Sequence, residues 1–177
     1  MNRSFFSLLV IALIAISNLF VLEPAFASPL HHSSPQIAAL PGMSGLFQGS
    51  APSILGLHDG QLSPCPDTPN CVASQNANVQ QEIAPLTYTS DRSQARDYLL
   101  KVLQVVPRTT LITSNENYIR VESASRLLGF VDDVEFYLPE DEKKIEVRSA
   151  SRLGESDLGV NRRRLEQIRL ALDDLGA

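Results

Sequence analysis

The chain has 177 residues, enough for one domain with a core of its own once an N-terminal leader is set aside. Its formal net charge of −5 argues against a general nucleic-acid binder. Trp is absent, and the three histidines (His31, His32 and His58) all lie in the N-terminal third, so the rest of the chain lacks imidazole for acid–base chemistry.

Arg3 provides a short positive start, Phe5 to Leu22 is almost wholly apolar, and Ala25-Phe26-Ala27 forms a small-x-small cleavage site before Ser28. Residues 1–27 therefore read as a cleaved signal peptide. The apolar run approaches the about 18 residues of a spanning helix, so an uncleaved N-terminal anchor is the competing reading. Export is expected, to the periplasm or the thylakoid lumen, which use the same kind of leader. Residues 28–61 mix Pro, Gly, Ser and His without periodicity and read as a flexible arm before a single domain at 62–177. The apolar pieces Ile37–Leu40 and Ile54–Leu57 have the choice of packing on the domain or on a partner. His31-His32 alone is too little for a metal site.

Cys65 and Cys71 enclose a short Pro-rich loop. In an exported chain an even cysteine pair reads as a disulfide. Two thiols with no nearby His leave zinc coordination incomplete, and no metal or cofactor is expected.

Ala95, Tyr98, Leu99, Val102, Leu103 and Val106 recur at helical spacing over 93–106, and Pro107 stops the run. Four strand-like runs follow, at 108–114, 118–125, 130–138 and 144–151, joined by short turns that make antiparallel neighbours. A final helix is expected at 158–175, with Leu165, Ile168, Leu172 and Leu175 on one face, Ser156 or Asp157 as N-cap and Gly176 as its stop. The expected fold is α+β. It is a two-layer sandwich whose four-stranded antiparallel meander carries both helices on one face and leaves the other open.

Ile119-Arg-Val-Glu-Ser-Ala-Ser-Arg126 is nearly repeated by Ile145-Glu-Val-Arg-Ser-Ala-Ser-Arg152. Alternation sends Ile119, Val121, Ser123, Val134, Phe136, Ile145, Val147 and Ser149 toward the helices, and Arg120, Glu122, Arg126, Asp133, Glu135, Tyr137, Glu146, Arg148 and Arg152 the other way. If Phe136 lies opposite Val147, Glu135 lies opposite Arg148. Asp132 falls on the apolar face, where it needs a bulge or an internal arginine partner.

Two readings of the charged face stand side by side. One is a network of ion pairs within the domain. In the other, Arg148, Arg152 and Arg162-Arg163-Arg164 form one electropositive edge beside the loop 154–159, whose helix N-terminus also attracts anions. The candidate binding residues are Asp133, Glu135, Arg148, Arg152, Asp157, Asn161, Arg162 and Arg163. Nucleophilic catalysis finds little support, since no His lies in the domain and its lysines are only Lys101, Lys143 and Lys144.

The stretches CPDTPNCV, GFVDDVEFYL and IEVRSASRLGESDLGVNRRRLEQIR, in that order, resemble the uncharacterised family catalogued as domain of unknown function 1499. The resemblance covers about Leu62 to Leu175. It implies an export signal or membrane segments, which family members commonly carry, but no activity. It also implies that Cys65, Cys71, Asp132, Asp133, Arg148, Ser151, Arg152, Gly154, Asp157, Gly159, Asn161 and Arg162 belong to the family pattern. The expected function is an exported accessory or binding domain at a membrane surface, holding an acidic partner or anionic group through its Arg/Asp-rich edge and loop. The partner would be a membrane-associated protein complex or an anionic small molecule. Nucleic acid is not expected, and the membrane enters only by proximity or through an uncleaved leader. The alternatives are an enzyme of unrecognised class using Asp133, Glu135, Arg148 and Asp157, and a structural envelope protein whose charged face is merely solvated.

Overall fold

In a computed structural model the described residues are 47–177. The leader, His31-His32 and the arm up to residue 46 lie outside them. The elements run in the order β1 (Leu57–His58), β2 (Gln61–Leu62), β3 (Cys71–Ala73), β4 (Leu86–Thr87), α1 (Arg92–Val105), β5 (Thr109–Ser114), β6 (Tyr118–Ala124), β7 (Val131–Tyr137), β8 (Lys144–Ser151) and α2 (Val160–Asp174). Both expected helices and all four expected strands are present.

The start of α1 is fixed by Asp91, whose carboxylate accepts from the Gln94 N–H at 2.8 Å. The Ser93 hydroxyl and this N–H hold the Asp91 carboxyl below the usual range. Ala95, Leu99, Val102 and Leu103 form the buried stripe of α1, and the helix ends at Val105, with Val106 as its extended C-cap ahead of Pro107. α2 begins later than the sequence suggests. Leu158 and Gly159 both take positive φ, so the cap position falls on Gly159 and not on Ser156 or Asp157. Asp157 still serves the helix start, its two oxygens accepting the Gly159 and Asn161 N–H groups at 2.9 and 2.7 Å.

The meander β5-β6-β7-β8 is antiparallel throughout, but the sheet has six strands and not four. β3 and β4 share the outer edge of β8, β3 pairing with Arg148–Ala150 and β4 with Lys144 and Ile145. At three and two residues, they are too short to show a period-two pattern in sequence.

Val121, Val134, Phe136, Ile145 and Val147 from the sheet join Leu99, Val102 and Leu103 of α1 and Leu165, Ile168 and Leu172 of α2 in one buried cluster. Burial of this apolar surface is the main stabilising term.

The second face of the sheet is not open. Residues expected to end a flexible arm lie over it: the Gly56 N–H reaches Glu135 at 2.8 Å, Gly49 lies against Arg152 and Leu153, and Gly60 lies beside the Tyr137 hydroxyl. Leu62 is buried here, and the β1–β2 hairpin that carries it is too short to read from sequence.

Candidate functional site

β7 runs between the two near-repeats, and its register places Glu135 opposite Arg120 on one side and Arg148 on the other. Phe136 faces Val147, so the expected Glu135–Arg148 pairing forms, at 3.0 Å. Both side chains are almost wholly buried, Arg148 at 2 % and Glu135 at 0 % exposure. Glu135 also accepts from the Tyr118 hydroxyl at 2.8 Å. Burial and the neighbouring Glu135 charge push the Tyr118 hydroxyl pKa well up, so it remains a donor.

Asp133 is clamped from both neighbours. Arg120 Nη2 lies 2.7 Å from it and Arg152 Nε 2.8 Å, and Glu122 shares both guanidinium groups. Burial alone would raise the Asp133 pKa, but the hydrogen bonds from Arg152 and Arg120 outweigh it and hold the carboxyl below its ordinary value. Arg152 is raised in turn, chiefly by its bond to Asp133. The charged face is therefore an internal layer of ion pairs, and Arg148 and Arg152 do not stand on an electropositive edge.

A second polar cluster sits on the helix side. No bulge interrupts the pairing of Asp132, which turns its carboxylate to Arg164 at 2.6 Å and accepts from the Ser151 hydroxyl at 2.6 Å. Buried Asn161 ties the first turn of α2 to the sheet. It accepts from Ser149 Oγ and Arg164, and it donates to Ser151 Oγ and the Asn70 carbonyl.

The triple arginine at the start of α2 therefore splits three ways. Arg162 donates to the Gln80 carbonyl, Arg163 to the Leu158 carbonyl and Arg164 to Asp132. Two adjoining concavities lie here. One, of about 240 Å³, is bounded by Phe130, Asp132, Ser151, Gly154, Asp157 and Leu158. The other, of about 330 Å³, is lined by Arg108, Arg126, Arg163 and Arg164 together with Ser123 and Ser125. They share Ser125 and Val160.

Of the residues singled out in the sequence, Asp133, Glu135, Arg148 and Arg152 are brought together, but in the interior. Asp157 and Asn161 organise the α2 start, Arg163 lines the groove, and Arg162 lies apart from it. Arg108 and Arg164 were not singled out individually. The sign available for Arg164 was Asp132, a carboxylate on an apolar face in need of an arginine. Cys65 and Cys71 form a disulfide, as expected. Among the described residues no group of three or more His, Cys, Asp or Glu side chains is placed to hold a metal ion.

The family described as "Protein of unknown function (DUF1499)" matches residues 61–172. No curated protein matches the chain.

Proposed function

The chain belongs to the DUF1499 family, and we propose that it is an exported accessory domain that holds an acidic partner or an anionic group in the groove beside the start of α2. One observation carries this reading: among the described residues, Arg108 and Arg163, neither of which forms an ion pair, line one concavity together with Arg126 and the Asp132-bound Arg164, and no carboxylate lines it. Guanidinium groups present a planar fork to carboxylate or phosphate, and Ser123 and Ser125 line the same groove. The arginines of the groove are partly solvated, so binding would be modest and weakened by salt. The ligand-holding surface thus narrows from the sheet edge and loop to the loop end, with Arg163 and Arg164 common to both readings.

An oxidising compartment fits the Cys65–Cys71 disulfide and the leader-like N-terminus, which together support export to the periplasm or lumen. The same reading has both helices on the apolar face of the sheet, which their shared buried cluster supports.

Titration of isotope-labelled protein with inorganic phosphate tests the groove. Amide shifts concentrated at Ser125, Val160 and Arg163, and suppressed by added salt, are the expected result. Shifts scattered over the surface, or none, would count against it.

A further inference from the structure

The loop end of the domain carries an apolar crest that anion binding alone does not use. Leu127 and Leu128 stand in the β6–β7 turn, Leu153 and Leu158 in the β8–α2 loop, and Val160 at the first turn of α2. Leu127 is 63 % and Leu158 83 % exposed. The turn is well held. The Ser125 N–H donates to the Phe130 carbonyl at 2.7 Å, and Ser125 Oγ accepts from the Phe130 N–H at 3.0 Å. Ser125, Phe130, Leu153, Leu158 and Val160 all line the smaller concavity, so the two loops meet around it. Single exposed leucines need no explanation, but a group of them on adjoining loops marks an interaction surface.

What lies beside the crest decides its occupant. The arginine groove begins at Ser125 and Val160, which places Arg108 and Arg163 at the flank of the leucines. Neither forms an ion pair among the described residues. Of the nearby acids, Asp132 is held by Arg164 and Asp157 by two backbone N–H groups, leaving Glu155 exposed. Leucines edged by guanidinium groups suit a lipid interface, where the apolar side chains enter the acyl boundary and the cations stay with the headgroups.

We infer that this crest docks on a membrane surface bearing anionic lipid, with Leu127, Leu128 and Leu158 entering the interface and Arg108 and Arg163 resting on lipid phosphates. The inference rests on the groove reading and names the source of its anion. A single arginine near an anionic surface binds only weakly, so the arginines and leucines have to act together.

The absence of Trp from the chain makes a direct test available. Leu128→Trp places a single emitter on the crest, and Leu170→Trp, on an exposed position further along α2, is the control. The full chain is mixed with vesicles of phosphatidylglycerol and phosphatidylcholine whose acyl chains carry bromine. Because the apolar N-terminus can tether the chain to any vesicle, the comparison is between reporter positions and not between bound and free protein. The inference predicts a blue shift and bromine quenching for Leu128→Trp, little of either for Leu170→Trp, and loss of the crest signal on adding Arg108→Ser and Arg163→Ser or on using phosphatidylcholine alone. Equal, water-like emission from both positions overturns it. If that happens while phosphate still shifts the groove amides, the membrane inference falls and the groove reading stands. If neither responds, both fall.

Discussion

Nη1 of Arg148 lies 3.0 Å from Oε2 of Glu135, directly across β7 and β8, and neither side chain has meaningful contact with water. Removing one member of such a pair strands a buried charge, which costs about 3–5 kcal/mol. Arg148→Met is therefore expected to be strongly destabilised in urea unfolding. Adding Glu135→Gln removes the stranded charge yet keeps an oxygen for the Tyr118 hydroxyl and the Gly56 N–H. The double variant should recover part of the loss. Equal losses in the single and double variants would show that the pair is not coupled.

Asp133 links stability to pH. Its folded pKa lies below the unfolded value, because its bonds to Arg152 and Arg120 outweigh the effect of burial. The folded state therefore binds fewer protons than the unfolded state in the window between the two values, and stability rises with pH there. The contribution is present above the unfolded value of about 3.9 and is lost as pH falls through the lowered folded one. Asp133→Asn should flatten the acid limb of a stability-versus-pH curve. An unchanged slope would mean the clamp does not act on this carboxyl.

Asn161 joins α2 to β8 and to the Asn70 loop. Asn161→Ala leaves the Asn70 carbonyl without its side-chain donor and takes one partner from Ser149, Ser151 and Arg164. With about 1–3 kcal/mol for each buried polar group left unsatisfied, the expected cost is roughly 2–3 kcal/mol. Faster hydrogen exchange in the first turn of α2 than in α1 would locate the damage. Uniform exchange, or no loss of stability, would contradict this role.

Much of this architecture is legible in the residues themselves. Period-two alternation identifies β6, β7 and β8, and the near-repeat beside Asp133 and Glu135 anticipates the pairing of Glu135 with Arg148. Asp132 announces its own partner, since a carboxylate on an apolar face needs a cation. Alternation cannot say whether a polar face meets water or chain. Here the answer depends on Gly49, Gly56 and Leu62, which come from a stretch without periodicity. That cover turns an apparent binding surface into an interior layer. The groove was hidden for a related reason: Arg108, Arg126 and Arg163 come from three separate segments, and only the fold brings them to one concavity.

The central claim separates interior arginines from ligand-holding ones, and one paired measurement tests it. Phosphate affinity and urea stability are determined for the wild type, for Arg163→Ser, and for Arg148→Met under conditions where it remains folded. The account predicts that Arg163→Ser loses affinity at unchanged stability and that Arg148→Met loses stability at unchanged affinity. The reverse partition, with Arg148→Met abolishing binding in a folded protein and Arg163→Ser silent, would contradict it and return the site to the charged face of the sheet.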